Sequence, residues 1–143
     1  MIINKNIKSF LLLNSSSIKE ALRVIEENHN GFVIVVDEYG LVDGIMTDGD
    51  YRRWSINQTQ LDLSQSVKSI VKKDFDYAFE NDSTSLIKSR LSNKRRFLPI
   101  LDKRKRIVSI AEYKPNQIQI SNTLIDDSSR CFVIAEIGLN HNG

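Results

Sequence analysis

Apolar positions recur along this chain in two rhythms. A helical spacing, Ile18, Ala21, Leu22 and Ile25, begins at Ser17-Ile-Lys-Glu20 and ends at Asn30-Gly31. Its opening is a capping box, in which hydroxyl and carboxylate each satisfy a backbone N–H of the other, and its end is a helix stop. The continuous run Phe32-Val-Ile-Val-Val36 follows and predicts a strand buried on both faces. Past the polar turn Asp37-Glu-Tyr-Gly40, Val42 to Met46 predicts a second strand, and Thr47 opens a second helix.

The same plan recurs when the chain is shifted against itself by about 65 residues. Phe32 to Asp37 falls on Phe97-Leu-Pro-Ile-Leu-Asp102, Val42 on Ile107 and Ile45 on Ile110, while Asp82-Ser-Thr-Ser ahead of Leu86, Ile87 and Leu91 is a weaker copy of the first helix. Each copy reads strand, helix, strand, strand, helix. A unit of about 50 residues has too little interior to stand alone, so the two are expected to pack together as a pseudo-twofold α+β pair, with a ligand cleft between them.

The segment Gly44-Ile-Met-Thr47-Asp48-Gly-Asp50-Tyr-Arg52-Arg53 carries the candidate chemistry. A helix start at Thr47 leaves backbone N–H groups that attract phosphate. Asp50 repels phosphate but accepts hydrogen bonds from ribose hydroxyls, Asp48 is the second carboxylate of the segment, and Arg52 and Arg53 offer fork-like cationic donors. The same residues also read as a capping box, with Thr47 as the cap and Asp50 as a short stand-in for Glu. Both readings stand on the sequence alone.

The repeat and the Thr-x-x-Asp at the end of the third strand resemble the cystathionine-β-synthase (CBS) domain pair, or Bateman module, over about residues 8 to 115. The resemblance implies a regulatory module that binds a nucleotide, most often AMP, ADP or ATP, and that associates as a homodimer. It also implies that Thr47 contacts phosphate and Asp50 the ribose, while apolar backbone around Leu12, Leu13, Val33, Ile34 and Val35 holds the base. The second copy departs from the pattern, because Glu112 stands where Thr47 does and Pro115 where Asp50 does. One competent site at most is expected.

From Lys114 to Arg130 the chain reads as a polar connector with one short strand at Ile118 to Ile120. The apolar run Cys131-Phe-Val-Ile-Ala-Glu136-Ile-Gly-Leu-Asn140-His141-Asn-Gly143 then resembles the opening barrel strand of the sialic acid synthase family. Members condense phosphoenolpyruvate with an N-acylated amino sugar using a divalent metal, which implies that Glu136, Asn140 and His141 belong to an incomplete substrate site. The expected organisation is repeat 1 at 1–60, repeat 2 at 61–115, a linker at 116–130 and a truncated barrel start at 131–143. The fragment itself is expected to be non-catalytic, the metal belonging only to the intact parent enzyme.

Composition bounds this picture more than it sharpens it. With 143 residues, 41% hydrophobic and 27% charged, the chain has the make-up of a globular domain. Net charge is only +2, yet Lys94-Arg-Arg96 and Lys103-Arg-Lys-Arg106 flank one expected strand. They read either as an anion site, for a nucleotide's phosphates or nucleic acid, or as solvated turns. Interleaved aromatics for base stacking are lacking, so nucleic acid is the lesser reading. One cysteine, Cys131, fits a reducing cytoplasm, and neither a secretory signal nor a membrane span is expected. His29 reads as a helix-end residue, and Trp54 as core or a contact between modules.

Three function classes remain to be weighed. The leading one is a regulatory nucleotide-binding module ahead of a synthase, with cytidine nucleotides worth testing because activated sialic acids carry CMP. The second is a ligand-free dimerising scaffold. An enzyme in its own right is disfavoured, since the sequence shows no nucleophile paired with a base and no G-x-x-x-x-G-K loop. The Thr-Asp-Gly-Asp-Tyr-Arg-Arg segment also resembles pairs attached to sugar-nucleotide transferases, an alternative host.

Overall fold

A computed structural model describes residues 1–113, 118–120 and 123–125. The backbone divides into two units, Met1–Tyr113 and Lys114–Gly143.

In the first unit, β2 (Leu11–Leu13) leads to α1 (Ile18–Asn28), β3 (Phe32–Val36), β4 (Val42–Thr47) and α2 (Asp48–Ser55). The predicted capping box of α1 is formed, with the Ser17 N–H donating to Glu20 Oε2 at 2.7 Å and the Glu20 N–H to Ser17 Oγ at 3.3 Å. The helix stops earlier than Asn30-Gly31. His29 takes the left-handed conformation (φ 55°), while the buried Asn28 amide donates to the Phe32 carbonyl at 2.8 Å and so ties the helix end to β3. Parallel β2 and antiparallel β4 flank β3.

The second half repeats the layout with β5 (Ala78–Phe79), α3 (Thr84–Arg90), β6 (Phe97–Leu101) and β7 (Ile107–Glu112). Its helix is short, capped by Ser83, and buries Ile87 on its core face. The registers match residue for residue: Phe32 pairs with Thr47 as Phe97 does with Glu112, and both ladders shift at the equivalent place, between Val35 and Val36 and between Ile100 and Leu101. Where the repeat predicts a closing helix after β7, the next described elements are instead β8 (Ile118–Ile120) and β9 (Thr123–Ile125), an antiparallel pair in the second unit. Pro115 and the β-branched residues beyond it favour that outcome.

One strand is not apparent from the repeat. Ile2–Asn4 forms β1, which pairs antiparallel with β7 and completes the order β1-β7-β6-β5. The connector between repeats does the same for the other sheet, Lys72 bridging Ile45 of β4 through two backbone hydrogen bonds of 3.0 and 2.9 Å. Gly44 permits this crossing, because a β-carbon there would run into Val71 and the Lys72 carbonyl.

Strand alternation distributes the core. Val33 and Val35 pack towards α1 with Ile18, Ala21 and Ile25, whereas Phe32, Ile34 and Val36 face Ile110, Phe97 and Ile107 of the other repeat. Leu98 and Ile100 pack with Ile87 and Leu91 beneath α3. The result is helix, sheet, sheet, helix. Equivalent residues meet across the seam: Phe32 on Phe97, and Leu41 bridging Arg106. Such like-on-like pairing is what a pseudo-twofold axis produces.

Candidate functional site

The seam positions the site. Thr47 ends β4 beside Phe32, and Phe32 stacks on Phe97, so the basic turn that leads into β6 arrives next to the start of α2. The turn is pinned by reciprocal backbone hydrogen bonds between Ser92 and Arg95, each 3.0 Å, and by the Tyr113 N–H donating to the Arg96 carbonyl at 2.7 Å. Between these elements lies a cavity of about 260 Å³, lined by Thr47 and Asp50 of the first repeat, by the connector from Lys72 to Asp76, and by Lys94 to Phe97 of the second.

The capping box at α2 is fully formed. Thr47 donates to Asp50 Oδ2 through its N–H at 2.9 Å and its hydroxyl at 2.6 Å, and Thr47 Oγ1 accepts the Asp50 N–H at 3.2 Å. Arg53 Nη2 and Lys72 Nζ reach Asp50 Oδ1 at 2.7 and 2.9 Å. These donors fill the roughly four acceptor positions of a carboxylate. Burial alone would raise the Asp50 pKa. The Thr47 hydroxyl, the Lys72 ammonium, the Arg53 guanidinium and the Thr47 N–H outweigh it and hold the group down at about 2. Asp50 is therefore an anion at neutral pH, and any further donor must displace Lys72 or Arg53, whose side chains are more than half exposed.

Four cations, Lys72, Lys94, Arg95 and Arg96, line the cavity against the carboxylates Asp50, Asp74 and Asp76. Asp50 is neutralised as described, and Asp76 pairs with Arg95 at 2.5 Å. Lys94 and Arg96 enter no ion pair among the described residues, which leaves them available for an anion. Ile45, Phe75 and Phe97 give the cavity its apolar surface.

The structure thus brings Thr47 and Asp50 together and supplies cations from a different place than the helix. Arg53 is occupied by Asp50, and neither it nor Arg52 lines the cavity. Asp48 also lies off the lining, its N–H bonded to the Gly31 carbonyl. Leu12, Val33, Ile34 and Val35 are buried in the cores, and with Leu13 their backbones belong to the β2–β3 ladder; none of the five lines the cavity. Glu112 sits at the end of β7 and accepts from Asn4 Nδ2 at 3.2 Å. The anion-binding role of Lys94 to Arg96 was one of two sequence readings, whereas Lys72 carried no sequence signal, since only the pairing of the connector with β4 brings it to Asp50. Trp54 is half-buried against the first core and lies 6.1 Å from Tyr51, ring to ring. Cys131, Glu136, Asn140 and His141 lie outside the described residues. Among the described residues there is no cluster of His, Cys, Asp or Glu suited to a metal, and no helix long and apolar enough to cross a membrane.

Residues 8–57 match the CBS domain family. Over 74 residues, 49% of this chain, the sequence is 30% identical to chloride channel protein CLC-f of Arabidopsis thaliana, and the match spans 10% of that protein's length. Among solved structures, a CBS-domain containing protein from Agrobacterium tumefaciens is 26% identical with a TM-score of 0.58, over 71% of this chain and 80% of that one. A CBS domain pair/ACT domain protein from Thermotoga maritima is 22% identical with a TM-score of 0.56, over 71% and 79%. The CbpB protein of Listeria monocytogenes, in complex with c-di-AMP, is 15% identical with a TM-score of 0.66, over 77% and 84%. Residues 8–57 are thus similar to the CBS domain, and the fold matches that of solved CBS-domain pairs.

Proposed function

We propose that this chain is a regulatory nucleotide-binding module. The nucleotide lies in the cavity between the repeats, its phosphate on Lys94 and Arg96 and its ribose on Asp50 once Lys72 or Arg53 has turned away. The observation that carries this reading is that Thr47 and Asp50 of one repeat and the basic turn of the other line a single cavity. The c-di-AMP bound by the similarly folded CbpB supports a nucleotide as ligand class. Because the cavity spans the seam, a ligand that binds one packing of the repeats better than another shifts their equilibrium, which is what regulation of an attached protein requires. The module performs no chemistry of its own.

Isothermal titration of AMP, ADP, ATP, c-di-AMP and CMP into folded protein tests the reading. Saturable binding of at least one is expected, and no heat from any of them overturns it. A parent enzyme of the sialic acid synthase kind rests on the resemblance of Cys131 to Gly143 alone. Sequencing onward from Gly143 in the gene tests it, a continuing barrel with further metal-ligand residues being the expected result.

A second reading is a ligand-free homodimeric scaffold. It is favoured by one observation, that the acceptor positions of Asp50 are already filled from within the protein. Light scattering with and without nucleotide separates the two, since a dimer that neither binds nor responds to any of the five supports the scaffold.

A further inference from the structure

Asp50 holds more positive charge than it carries negative. Arg53 Nη2 and Lys72 Nζ both reach its Oδ1, at 2.7 and 2.9 Å, while Thr47 occupies Oδ2 through its N–H and its hydroxyl. One carboxylate is thereby matched by two cations. Either cation can leave without stranding the buried anion, because the other stays with the two donors of Thr47.

Position decides which of them yields. Arg53 lies one turn along the same helix and off the cavity lining, whereas Lys72 comes from the connector and lines the cavity. A hydroxyl that approaches Asp50 from the cavity therefore meets Lys72. The Lys72 backbone is fixed by its two hydrogen bonds to Ile45, so only the side chain has to move. That side chain is 56% exposed, against 4% for Asp50, and an ammonium on a flexible four-carbon stem re-aims without the planar geometry that a guanidinium must keep.

The other charges of the lining say where the ammonium goes. Asp76 is paired with Arg95, but Asp74 lines the same cavity and enters no ion pair among the described residues. Asp74 opposes a phosphate brought to Lys94 and Arg96, and an ammonium released from Asp50 offsets that repulsion. Resting on the nucleotide reading above, we infer that Lys72 is a phosphate-dependent gate, which covers the ribose position on Asp50 and passes to the ligand's phosphate as the ribose arrives. A nucleoside displaces the same ammonium but brings it no anion. The site thus selects for phosphorylated ligand twice, once by the attraction of the basic turn and once by the cost of uncovering Asp50.

The test titrates, on the full chain, whichever of AMP, ADP, ATP or CMP binds best and the nucleoside of the same base, into the wild type, Lys72→Met and Lys72→Arg, each checked for folding by circular dichroism. Methionine keeps the apolar stem and removes the charge. The nucleoside is expected to bind Lys72→Met about three- to tenfold tighter than the wild type, since a half-exposed charged hydrogen bond no longer has to be broken. The preference for nucleotide over nucleoside should fall by at least the same factor, and Lys72→Arg should restore it. A nucleoside that binds Lys72→Met no tighter than the wild type overturns the gate, because Asp74 or water then receives the ammonium without cost. Nucleoside and nucleotide tightening alike overturns the passage to phosphate. In either case the nucleotide reading survives, whereas failure of every nucleotide to bind the wild type overturns that reading and this inference with it.

Discussion

Phe32 and Phe97, the first residues of equivalent strands, stack ring on ring with centroids 3.5 Å apart and planes 9° apart. Phe32 is buried to 2% exposure, while Phe97 also lines the cavity beside Thr47 and Asp50. The contact is therefore both the centre of the seam and the floor of the site, and each role can be measured.

Phe32→Ala is expected to cost about 3–5 kcal/mol in urea unfolding, as truncation of a buried aromatic does. Combined with Phe97→Ala, the double-mutant cycle should show a coupling of about 0.5–1.5 kcal/mol. Strict additivity would mean that the rings merely adjoin and that the repeats are held elsewhere.

Asp50 gives the protein a pH signature. Its folded pKa, about 2, lies below its ordinary value of 3.8, so the stabilisation it brings is present above about pH 4 and is lost as pH falls towards 2. The difference corresponds to roughly 2 kcal/mol. Urea midpoints between pH 7 and pH 2.5 should fall in the wild type and fall less in Asp50→Asn, which is already destabilised at pH 7. Parallel curves for the two proteins would show that another carboxylate carries the acid sensitivity. Because Asp50 and Thr47 hold the helix start together, substituting them tests stability and binding at once. They are poor probes of binding alone.

Lys94→Ala with Arg96→Ala is the cleaner probe. Both side chains are exposed or lie in an exposed turn, and neither is ion-paired among the described residues, so stability should stay within about 0.5 kcal/mol. Nucleotide affinity should drop at least tenfold, and its salt dependence should flatten. Unchanged affinity would remove the phosphate from this turn.

Gly44→Ala is expected to lower stability by about 1–3 kcal/mol, because the added methyl meets Val71 and the backbone of Lys72. The equivalent residue of the second repeat, Ser109, carries a β-carbon without difficulty. A neutral effect in thermal unfolding would show that the connector yields.

The repeat was legible because both central strands are buried on two faces and must stay apolar throughout, which preserves Phe32 to Val36 and Phe97 to Leu101 as a recognisable pair. The cap was legible because Thr47 and Asp50 are three residues apart, the spacing that closes a box. Arg53 stays off the cavity lining for a related reason: residues 50 and 53 share a helix face, so Arg53 is drawn to Asp50, whereas Arg52 enters no ion pair among the described residues. Lys72 and the turn at Lys94 join the site only through pairing and stacking between residues distant in sequence. Strand β1 was hidden for the same reason, since Ile2 finds its partner at Glu112.

That last pairing has a practical bearing on any attempt to express the halves separately. The amino-terminal strand lies on the sheet of the later half, and the joining segment around Lys72 lies on the sheet of the earlier one. Scission at the midpoint would strip one piece of its outer strand and the other of the bridge at Lys72, baring ladder edge on both, the surface on which polypeptides clump. The two halves are laced together, and they are best handled as one object.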